Sequence, residues 1–304
     1  IGMSHSGEIN NLSKMTRPKV GIITNVAEAH IENFKNIAGI AKAKSEIINN
    51  IEDGGTIILN RDDKFFNYME YKAIKKNINL LSFGFSKKSD IRLIKIIKFK
   101  KNYFLKIKAV DKYLNIKTKE INNQNIYNIL CCLAVLNIFN LETNVIKNFF
   151  THTYFLAGRG KIHKVKRFKT NFKLIDESYN ANPLSVKNAL LNLSKIKNKN
   201  SKKYVLLGDM LELGNRSEFY HKNLSKIINN TDIDKVFVYG NKVLKTYKYI
   251  SQKKQGNILQ NKNDFDEVFS KLIKKNDYLM IKGSNATGLN KLSENIIKGL
   301  KNAI

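Results

Sequence analysis

The second half of this sequence repeats one pattern, in which a short apolar run is followed by a polar turn and then by a segment with helical spacing. The apolar runs are Leu174-Ile175, Tyr204–Leu207, Val236–Val238 and Tyr278–Ile281, and helices are expected near Pro183, Arg216, Asp264 and Gly288. Strands that alternate with helices pair in parallel, because each helical crossover returns the chain to the same edge of the sheet. The pattern therefore predicts a doubly wound, Rossmann-like domain over residues 157–304.

The first half mixes two kinds of strand. Val20–Ile23 and Ile57–Leu59 are continuous apolar runs, which are typical of buried parallel strands. From Ile91 to Lys117 apolar residues alternate with lysines, which predicts antiparallel ribbons with one face in water. A helix is expected from about Asn125 to Asn140. We expect residues 1–156 to form a first α/β domain, with the boundary at the glycines of the segment 156–160.

Lys44 occupies an unusual position for a lysine. It lies on the same helical stripe as four apolar residues, Ile37, Ile40, Ile47 and Ile51. Lys42 points to the opposite side, so the two lysines should have different environments. One interpretation is that Lys44 extends its ammonium past the isoleucines into water. The other is that burial favours the neutral amine, which can capture carbon dioxide as a carbamate and, with His30, bind a hard cation.

Polar residues follow several strands of the second half at the point where each strand ends. They form three stretches, DESYNANP from Asp176 to Pro183, GDMLELG from Gly208 to Gly214, and KGS from Lys282 to Ser284. Asn182 is suited to cap the helix that Pro183 begins. Ligands of open α/β sheets bind at the carboxyl ends of the strands, so the three stretches predict a ligand cleft.

The composition limits where the protein works and what it binds. The formal charge of +29 suits a polyanionic partner, and a basic nucleic-acid-binding protein is one possibility. The lysines are nevertheless spread along the whole chain among Asn and Ile, so nucleic acid is not the expected main partner. The two cysteines are adjacent and indicate no disulfide framework, no signal peptide is visible, and no apolar run spans a bilayer. We expect a cytoplasmic protein with no membrane span.

Taken together, these motifs resemble those of the Mur ligases, the ATP-dependent amide-forming enzymes of peptidoglycan synthesis. The resemblance rests on Thr24-Asn25, His30, Glu32 and Lys44, and on the three strand-end stretches. It implies that His30 and a carbamoylated Lys44 hold Mg²⁺. It also implies ATP contacts at Asn125, Asn128, Arg159 and Asp176, although Asn125 alone would be interpreted as a helix cap and Arg159 alone as a surface residue. Substrate contacts are implied at Ser4, His5, Tyr179, Asn180, Asn182, Lys282 and Ser284.

Within the family, the stretches resemble the type that joins D-alanyl-D-alanine to UDP-N-acetylmuramoyl-tripeptide, with ATP and Mg²⁺ as cofactors. Asn285 stands where that type has an arginine. No phosphate-loop pattern occurs in the 304 residues, and Ile1 resembles the residue after a glutamate ligand of magnesium. We therefore expect an incomplete ligase that is inactive by itself. We also expect it to be a monomer. The same motifs are also compatible with a ligase of the folate-glutamate type and with a nonfunctional remnant.

Overall fold

The computed structural model describes residues 1–100, 102–119, 121–142, 150, 157–197, 200–261 and 264–299. The chain forms two compact units, and each is described by itself. The first contains residues 1–26 and 33–154, and the second contains residues 27–32 and 155–304. Residues 151–156 lie outside the described part, so the boundary between residues 156 and 157 stays a prediction.

The first unit is a six-stranded sheet with helices. In chain order its elements are α1 (Glu8–Thr16), β1 (Val20–Ile23), α2 (Ile37–Lys44), β2 (Thr56–Asn60), α3 (Phe66–Lys76), β3 (Asn79–Gly84), β4 (Ile91–Phe99), β5 (Asn102–Ala109), β6 (Lys112–Thr118) and α4 (Asn123–Ile138). The strands lie in the order β1-β2-β3-β4-β5-β6. The pairs from β1 to β4 are parallel, and β4, β5 and β6 form an antiparallel meander. Both strand patterns of the sequence are confirmed.

One hydrophobic core of this unit lies between the sheet and α4. Ile58, Phe83 and Ile107 of the sheet are nearly inaccessible to solvent, and they belong to one apolar cluster with Ile129 and Leu130 of α4. The apolar residues of α4 recur at helical spacing, and burying that face ties the meander to the parallel strands.

The helix predicted to continue from Ile37 through Ile51 is shorter than expected. α2 ends at Lys44, and residues Ser45–Asn50 form a 3₁₀ helix. Ile40 and Ile51 are fully buried, whereas Ile37 is half-buried. Apolar spacings of three and four residues fit an α-helix and a 3₁₀ helix alike, so the pattern could not distinguish them.

The second unit is the doubly wound sheet that the alternation predicted. Its elements are β7 (Lys161–Arg167), β8 (Thr170–Asp176), α5 (Pro183–Ser194), β9 (Lys203–Gly208), α6 (Ser217–Asn229), β10 (Lys235–Tyr239), α7 (Leu244–Tyr249), β11 (Gln255–Leu259), α8 (Asp264–Leu272), β12 (Tyr278–Lys282) and α9 (Leu289–Lys298). The order is β11-β10-β9-β12-β8-β7. Only the β7–β8 pair is antiparallel among these described strands. The carboxyl ends of β8, β9 and β12 therefore meet at one edge. In the described ranges, no helix is long and apolar enough to cross a bilayer.

Candidate functional site

Three side chains hold the backbone that follows β1. Lys44 Nζ donates to the carbonyl of Asn25 at 2.8 Å, and Asn60 Nδ2 donates to the carbonyl of Thr24 at 3.1 Å. The carboxylate of Asp63 accepts from the Val26 amide at 2.6 Å. Lys44 is the last residue of α2, and Asn60 is the last residue of β2. The strand-end segment 24–26 is thus fixed by polar groups from two neighbouring parts of the first unit.

Lys44 and Lys42 lie in different environments, as the sequence predicted. Lys42 is exposed, whereas Lys44 is half-buried. Burial lowers the pKa of the Lys44 ammonium, and the nearby Asp63 carboxylate opposes that shift only in part. A lowered pKa raises the fraction of neutral amine, which is the form that reacts with carbon dioxide. The structure therefore favours the chemistry needed for a carbamate, and the carbamate itself remains a prediction.

His30 follows β1 in sequence but belongs to the second unit. Its backbone is left-handed, with φ of 54°, and its Nδ1 lies 2.7 Å from Glu212 Oε2. The backbone of Glu32 also donates to the carbonyl of Glu212, at 3.2 Å. Among the described residues, no group of three or more His, Cys, Asp or Glu side chains could hold a metal ion. Binding of Mg²⁺ by His30 with Lys44 thus stays a prediction.

Asn125 does not cap α4. The cap is Asn122, whose Oδ1 accepts from the Asn125 amide at 2.8 Å. The interpretation of Asn125 as a cap was wrong because the helix begins two residues earlier than expected. Asn125 is half-buried, and Asn128 is exposed with its Oδ1 accepting from Gln124 Nε2. Both asparagines lie in the first two turns of α4, and their contact with adenine stays a prediction.

Ser4 and His5 precede α1 and contact its first residue. The Ser4 amide donates to Glu8 Oε2 at 2.6 Å, and His5 Nδ1 lies 3.3 Å from Glu8 Oε1. The His5 side chain is largely exposed. The carboxylate of Glu46 accepts from the Gly7 and Asn10 amides and so stabilises the start of α1. The two predicted substrate contacts therefore lie on an ordered turn with accessible side chains.

In the second unit, Asp176 at the end of β8 is buried rather than open to a cleft. Its Oδ1 accepts from the hydroxyls of Ser178 at 2.6 Å and Ser293 at 2.7 Å, and its Oδ2 accepts from the Gly158 amide at 2.8 Å. Only 4% of the residue is accessible to solvent. The expectation that this side chain faces a cleft was wrong, because its oxygens organise the loop around it.

Glu177 and Lys282 form a polar pair at the same strand ends, in which Lys282 is buried and Glu177 is half-buried. Only 2% of the Lys282 side chain is exposed, and its ammonium donates to the Asn180 carbonyl at 2.9 Å and lies 3.5 Å from Glu177 Oε2. Burial raises the pKa of the Glu177 carboxyl, and burial lowers the pKa of the Lys282 ammonium. Lys282 is thus a tie between β12 and the loop after β8, which opposes its predicted contact with substrate.

Arg159 and Tyr179 are the accessible pair of this region. Both are exposed, and the Arg159 guanidinium lies 4.4 Å from the centre of the Tyr179 ring. Gly158, with φ of +73°, makes this approach possible, because a Cβ there would lie 2.6 Å from the Tyr179 amide nitrogen. Arg159 can therefore reach a bound anion while its flat face rests on an aromatic ring.

Of the remaining predicted residues, some have exposed side chains and others have buried ones. Asn182 caps α5 in a reciprocal pair with Ser185, as predicted. Asn180 is exposed, and its Oδ1 accepts from the Ala181 amide at 2.7 Å. Ser284 is buried; its hydroxyl accepts from the Leu211 amide at 2.9 Å and donates to the Ala181 carbonyl at 3.3 Å. Ser284 therefore links the loops that follow β8, β9 and β12.

The sequence and the fold have matches among known proteins. A sequence model of the Mur ligase middle domain matches residues 1–136, and one of the Mur ligase, glutamate ligase domain matches residues 161–285. The two matches together cover most of the chain. The chain belongs to the Mur ligase family.

Relatives of this Mur ligase include two curated proteins, each named UDP-N-acetylmuramoyl-tripeptide--D-alanyl-D-alanine ligase. The protein of Rickettsia prowazekii is 28% identical over 295 residues, which cover 96% of this chain and 64% of that protein. The protein of Buchnera aphidicola from Acyrthosiphon pisum is 30% identical, with 99% and 65% covered. This Mur ligase chain thus spans slightly less than two thirds of their length.

Solved structures show the same fold. MurF from Acinetobacter baumannii superposes with a TM-score of 0.83 at 22% identity, covering 98% of this chain and 64% of that one. MurF ligase from Thermotoga maritima, solved in complex with ADP, gives 0.80 at 23% identity, with 97% and 65% covered. The two mostly parallel sheets of this Mur ligase are therefore those of MurF structures.

Two polar contacts close to the ends of β2 and β9 were not predicted from the sequence. Tyr127 donates its hydroxyl to Asp62 Oδ2 at 3.0 Å, and Asp62 also accepts from the Phe85 and Ser86 amides. His221 is fully buried; its Nε2 accepts from the Met210 amide at 3.1 Å, and its Nδ1 donates to the Ser217 carbonyl. A polar residue on the apolar face of α6 was the available signal for His221. Asp62 and Tyr127 are far apart in sequence, so nothing local indicated their contact.

Proposed function

We propose that this chain carries the middle and C-terminal domains of an ATP-dependent amide ligase that joins D-alanyl-D-alanine to UDP-N-acetylmuramoyl-tripeptide. The observation that carries the ligase assignment is Lys44, a half-buried lysine with a lowered pKa that is fixed at the carboxyl end of β1. The names of the curated relatives and the DESYNANP stretch support this dipeptide as the second substrate.

The reaction of such a ligase has two steps. ATP transfers its γ-phosphoryl group to the terminal carboxylate of the tripeptide and leaves as ADP. The amine of the dipeptide then attacks the carbonyl carbon of this acyl phosphate, expels phosphate and loses its proton to form the amide. Both steps move negative charge between phosphoryl and carboxyl oxygens, so the protein must stabilise charge more than it must supply a nucleophile. A site made of positioned cations and amides suits this chemistry.

A magnesium ion would neutralise phosphate charge and orient the transferring phosphoryl group. As an amine, Lys44 offers Mg²⁺ no oxygen ligand; as a carbamate it would offer two. Lys44 therefore suits the ion only when it is modified, and the family resemblance implies that the imidazole of His30 is a further ligand. Asn60 and Asp63 contribute by fixing the backbone beside Lys44.

In the second unit we assign the phosphate contact to Arg159, which is exposed beside Tyr179. The family resemblance implies that Asp176 contacts the ribose of ATP, but the carboxylate of Asp176 is buried and accepts from internal donors. Glu177 is the next residue and keeps a quarter of its side chain exposed, so we place the ribose contact there. Asn180 and Tyr179 are the accessible residues that can line the substrate side. Asp176, Lys282 and Ser284 hold the shape of this loop.

The test of this function is formation of the amide product. Because these 304 residues contain no phosphate loop, the assay joins the corresponding segment of a MurF relative ahead of Ile1. With ATP, Mg²⁺, the nucleotide-linked tripeptide and D-alanyl-D-alanine, mass spectrometry should detect the pentapeptide product. Omission of ATP or of the dipeptide should abolish it, and replacement of Lys44 by Ala should slow its formation roughly 100- to 1,000-fold.

Two results would contradict the proposal. Glutamate addition to a folate substrate with no pentapeptide would assign the chain to the folate-glutamate type. A folded fusion protein that binds nucleotide but joins no pair of substrates would indicate a nonfunctional remnant.

We further propose that the ligase is a cytoplasmic monomer and that nucleic acid is not its substrate.

A further inference from the structure

The antiparallel meander of β4, β5 and β6 in the first unit has one apolar face. Its other face combines basic residues with apolar ones. The register pairs Lys95 with Lys106, Ile97 with Phe104, and Arg92 with Lys108. β6 continues these rows across the sheet. Because paired residues point to the same side, these residues share one face, opposite to that of Leu105 and Ile107 in the core. We call it the outer face; its members are Arg92, Lys95, Ile97, Phe99, Asn102, Phe104, Lys106, Lys108, Tyr113, Asn115 and Lys117.

The charged residues of the outer face are all basic. It carries five cations and, among its described residues, no carboxylate, and none of these cations belongs to an ion pair of the described chain. Lys95 lies directly opposite Lys106, and both are exposed. Like charges at directly opposed positions of two strands destabilise a sheet. The face therefore gains electrostatically from an anionic partner that neutralises it.

Strand β4 of this meander also exposes large apolar side chains. On β4 these are Ile94, Ile96, Ile97 and Phe99, of which Phe99 is 59% exposed. β3 pairs only with the first two residues of β4, so beyond Arg92 the second edge of β4 pairs with no described strand. On the outer face, Ile97 and Phe99 follow Lys95 along β4, and Lys100 lies where the hairpin turns. A surface that combines lysines with exposed aliphatic side chains is typical of binding at a lipid headgroup boundary.

We propose that the β4–β5 hairpin and the outer face bind an anionic lipid surface peripherally. Lys95, Lys106 and Lys117 would contact phosphate headgroups, and Ile97 and Phe99 would enter the boundary between headgroups and acyl chains. A single-stranded nucleic acid would use open aromatic faces for stacking. Here the ammonium groups of Lys106 and Lys100 lie over the rings of Tyr113 and Phe99, at 5.5 and 5.6 Å from the ring centres. Isoleucines have no aromatic face for bases, so the surface fits lipid better.

The first experiment measures cosedimentation of the 304-residue chain with vesicles. Vesicles of phosphatidylcholine with phosphatidylglycerol should bind the chain, and vesicles of phosphatidylcholine alone should not. The variant Lys95→Gln/Lys106→Gln/Lys117→Gln should bind roughly 100-fold more weakly, since each lysine near an anionic surface contributes about a factor of five. The control Lys75→Gln/Lys226→Gln/Lys291→Gln removes the same charge from exposed positions elsewhere and should bind nearly as the parent chain does.

The second experiment separates lipid from other polyanions. Ile97→Ser/Phe99→Ser keeps every lysine and should weaken vesicle binding roughly 10-fold through lost apolar burial. Circular dichroism checks that each variant is folded. Equal loss in the two lysine variants, equal binding to neutral vesicles, or no vesicle binding would overturn the proposal. The proposal would also be overturned if a single-stranded oligonucleotide bound the chain through Lys95, Lys106 and Lys117 and displaced it from vesicles at low occupancy.

Discussion

Polar residues follow both β1 and β8, which are parallel strands. The two strand ends differ in which groups hold the backbone. At β1, side chains from α2 and from the end of β2 reach inward and hold the backbone of residues 24–26. At β8, the loop's own Asp176 turns inward and holds the backbone and hydroxyls around it. A polar residue at a strand end can therefore be held by its neighbours or can itself hold them, and residue type alone does not decide which.

Replacing Asp176 by Ala tests this difference most severely. The change would leave the Gly158 amide and the Ser178 and Ser293 hydroxyls buried without their acceptor. We expect a loss of about 3–5 kcal/mol of unfolding free energy in the second unit. Hydrogen exchange of the β8 and β12 amides in denaturant would measure it. Glu294→Ala, at an exposed carboxylate of α9, should change stability by less than about 0.5 kcal/mol. If Asp176→Ala left the stability unchanged and weakened ATP binding, the result would show that Asp176 contacts the nucleotide instead.

The β1 site should respond in activity rather than in stability. In the complete ligase, Lys44→Ala should slow product formation roughly 100- to 1,000-fold, because a group that holds charge near the transferring phosphoryl is lost. Lys42→Ala is the matched control, because Lys42 is exposed two residues away, and it should be nearly silent. Added formate should restore part of the Lys44→Ala rate by replacing the carboxylate. Equal losses at both lysines would contradict the carbamate assignment.

Lys282 should behave as a scaffold of the β8 end. Lys282→Met removes the cation beside Glu177 while keeping the apolar stem, and we expect a cost of about 2–3 kcal/mol in stability. The double variant Lys282→Met/Glu177→Gln should recover part of this loss, because no buried carboxylate then lacks a partner. A double-mutant cycle by chemical denaturation would measure the coupling. Additive effects would show that the two side chains do not interact.

A smaller effect should appear in the pH dependence of the second unit. Burial lowers the pKa of His221 below its unfolded value of about 6.5. Between the two pKa values the unfolded state binds more protons, so stability falls as pH decreases from about 6.5 toward the folded pKa. The slope is at most about 1.4 kcal/mol per pH unit. Unfolding experiments between pH 7 and 5 should show this slope, and His221→Gln should remove it. An unchanged slope in the variant would assign the effect to another group.

Much of this architecture could be predicted from the sequence, because continuous β-branched runs and strict alternation are local signals. Val20–Ile23 and the meander from Ile91 were found in this way. β7 escaped notice because only Ile162 and Val165 are aliphatic in its charged sequence, as suits an edge strand. The cap of α4 was misplaced because neighbouring asparagines are equally good caps.

The burial of the site residues could not be predicted, because it depends on partners distant in sequence. The donors to Asp176 include residues 158 and 293, which lie on either side of it by more than 15 positions. The acceptor of the Lys282 ammonium is residue 180. The sequence pattern placed Asp176, Asn180 and Lys282 at strand ends, but not residue 293, which lies in α9. It gave no means of deciding which side chains turn inward, since that choice depends on three loops packing together.

The edge of β4 beyond Arg92, which pairs with no strand of the described residues, also bears on how the protein behaves at high concentration. Exposed strand edges rich in isoleucine invite the same edge of another copy to pair with them. Lys95 and Lys98 lie along this edge and are exposed, so two approaching copies repel each other while their charges act over distance. Concentrated salt shortens that range to a few ångströms. Light scattering should therefore show self-association that increases with ionic strength, the opposite of what most highly charged binding surfaces produce.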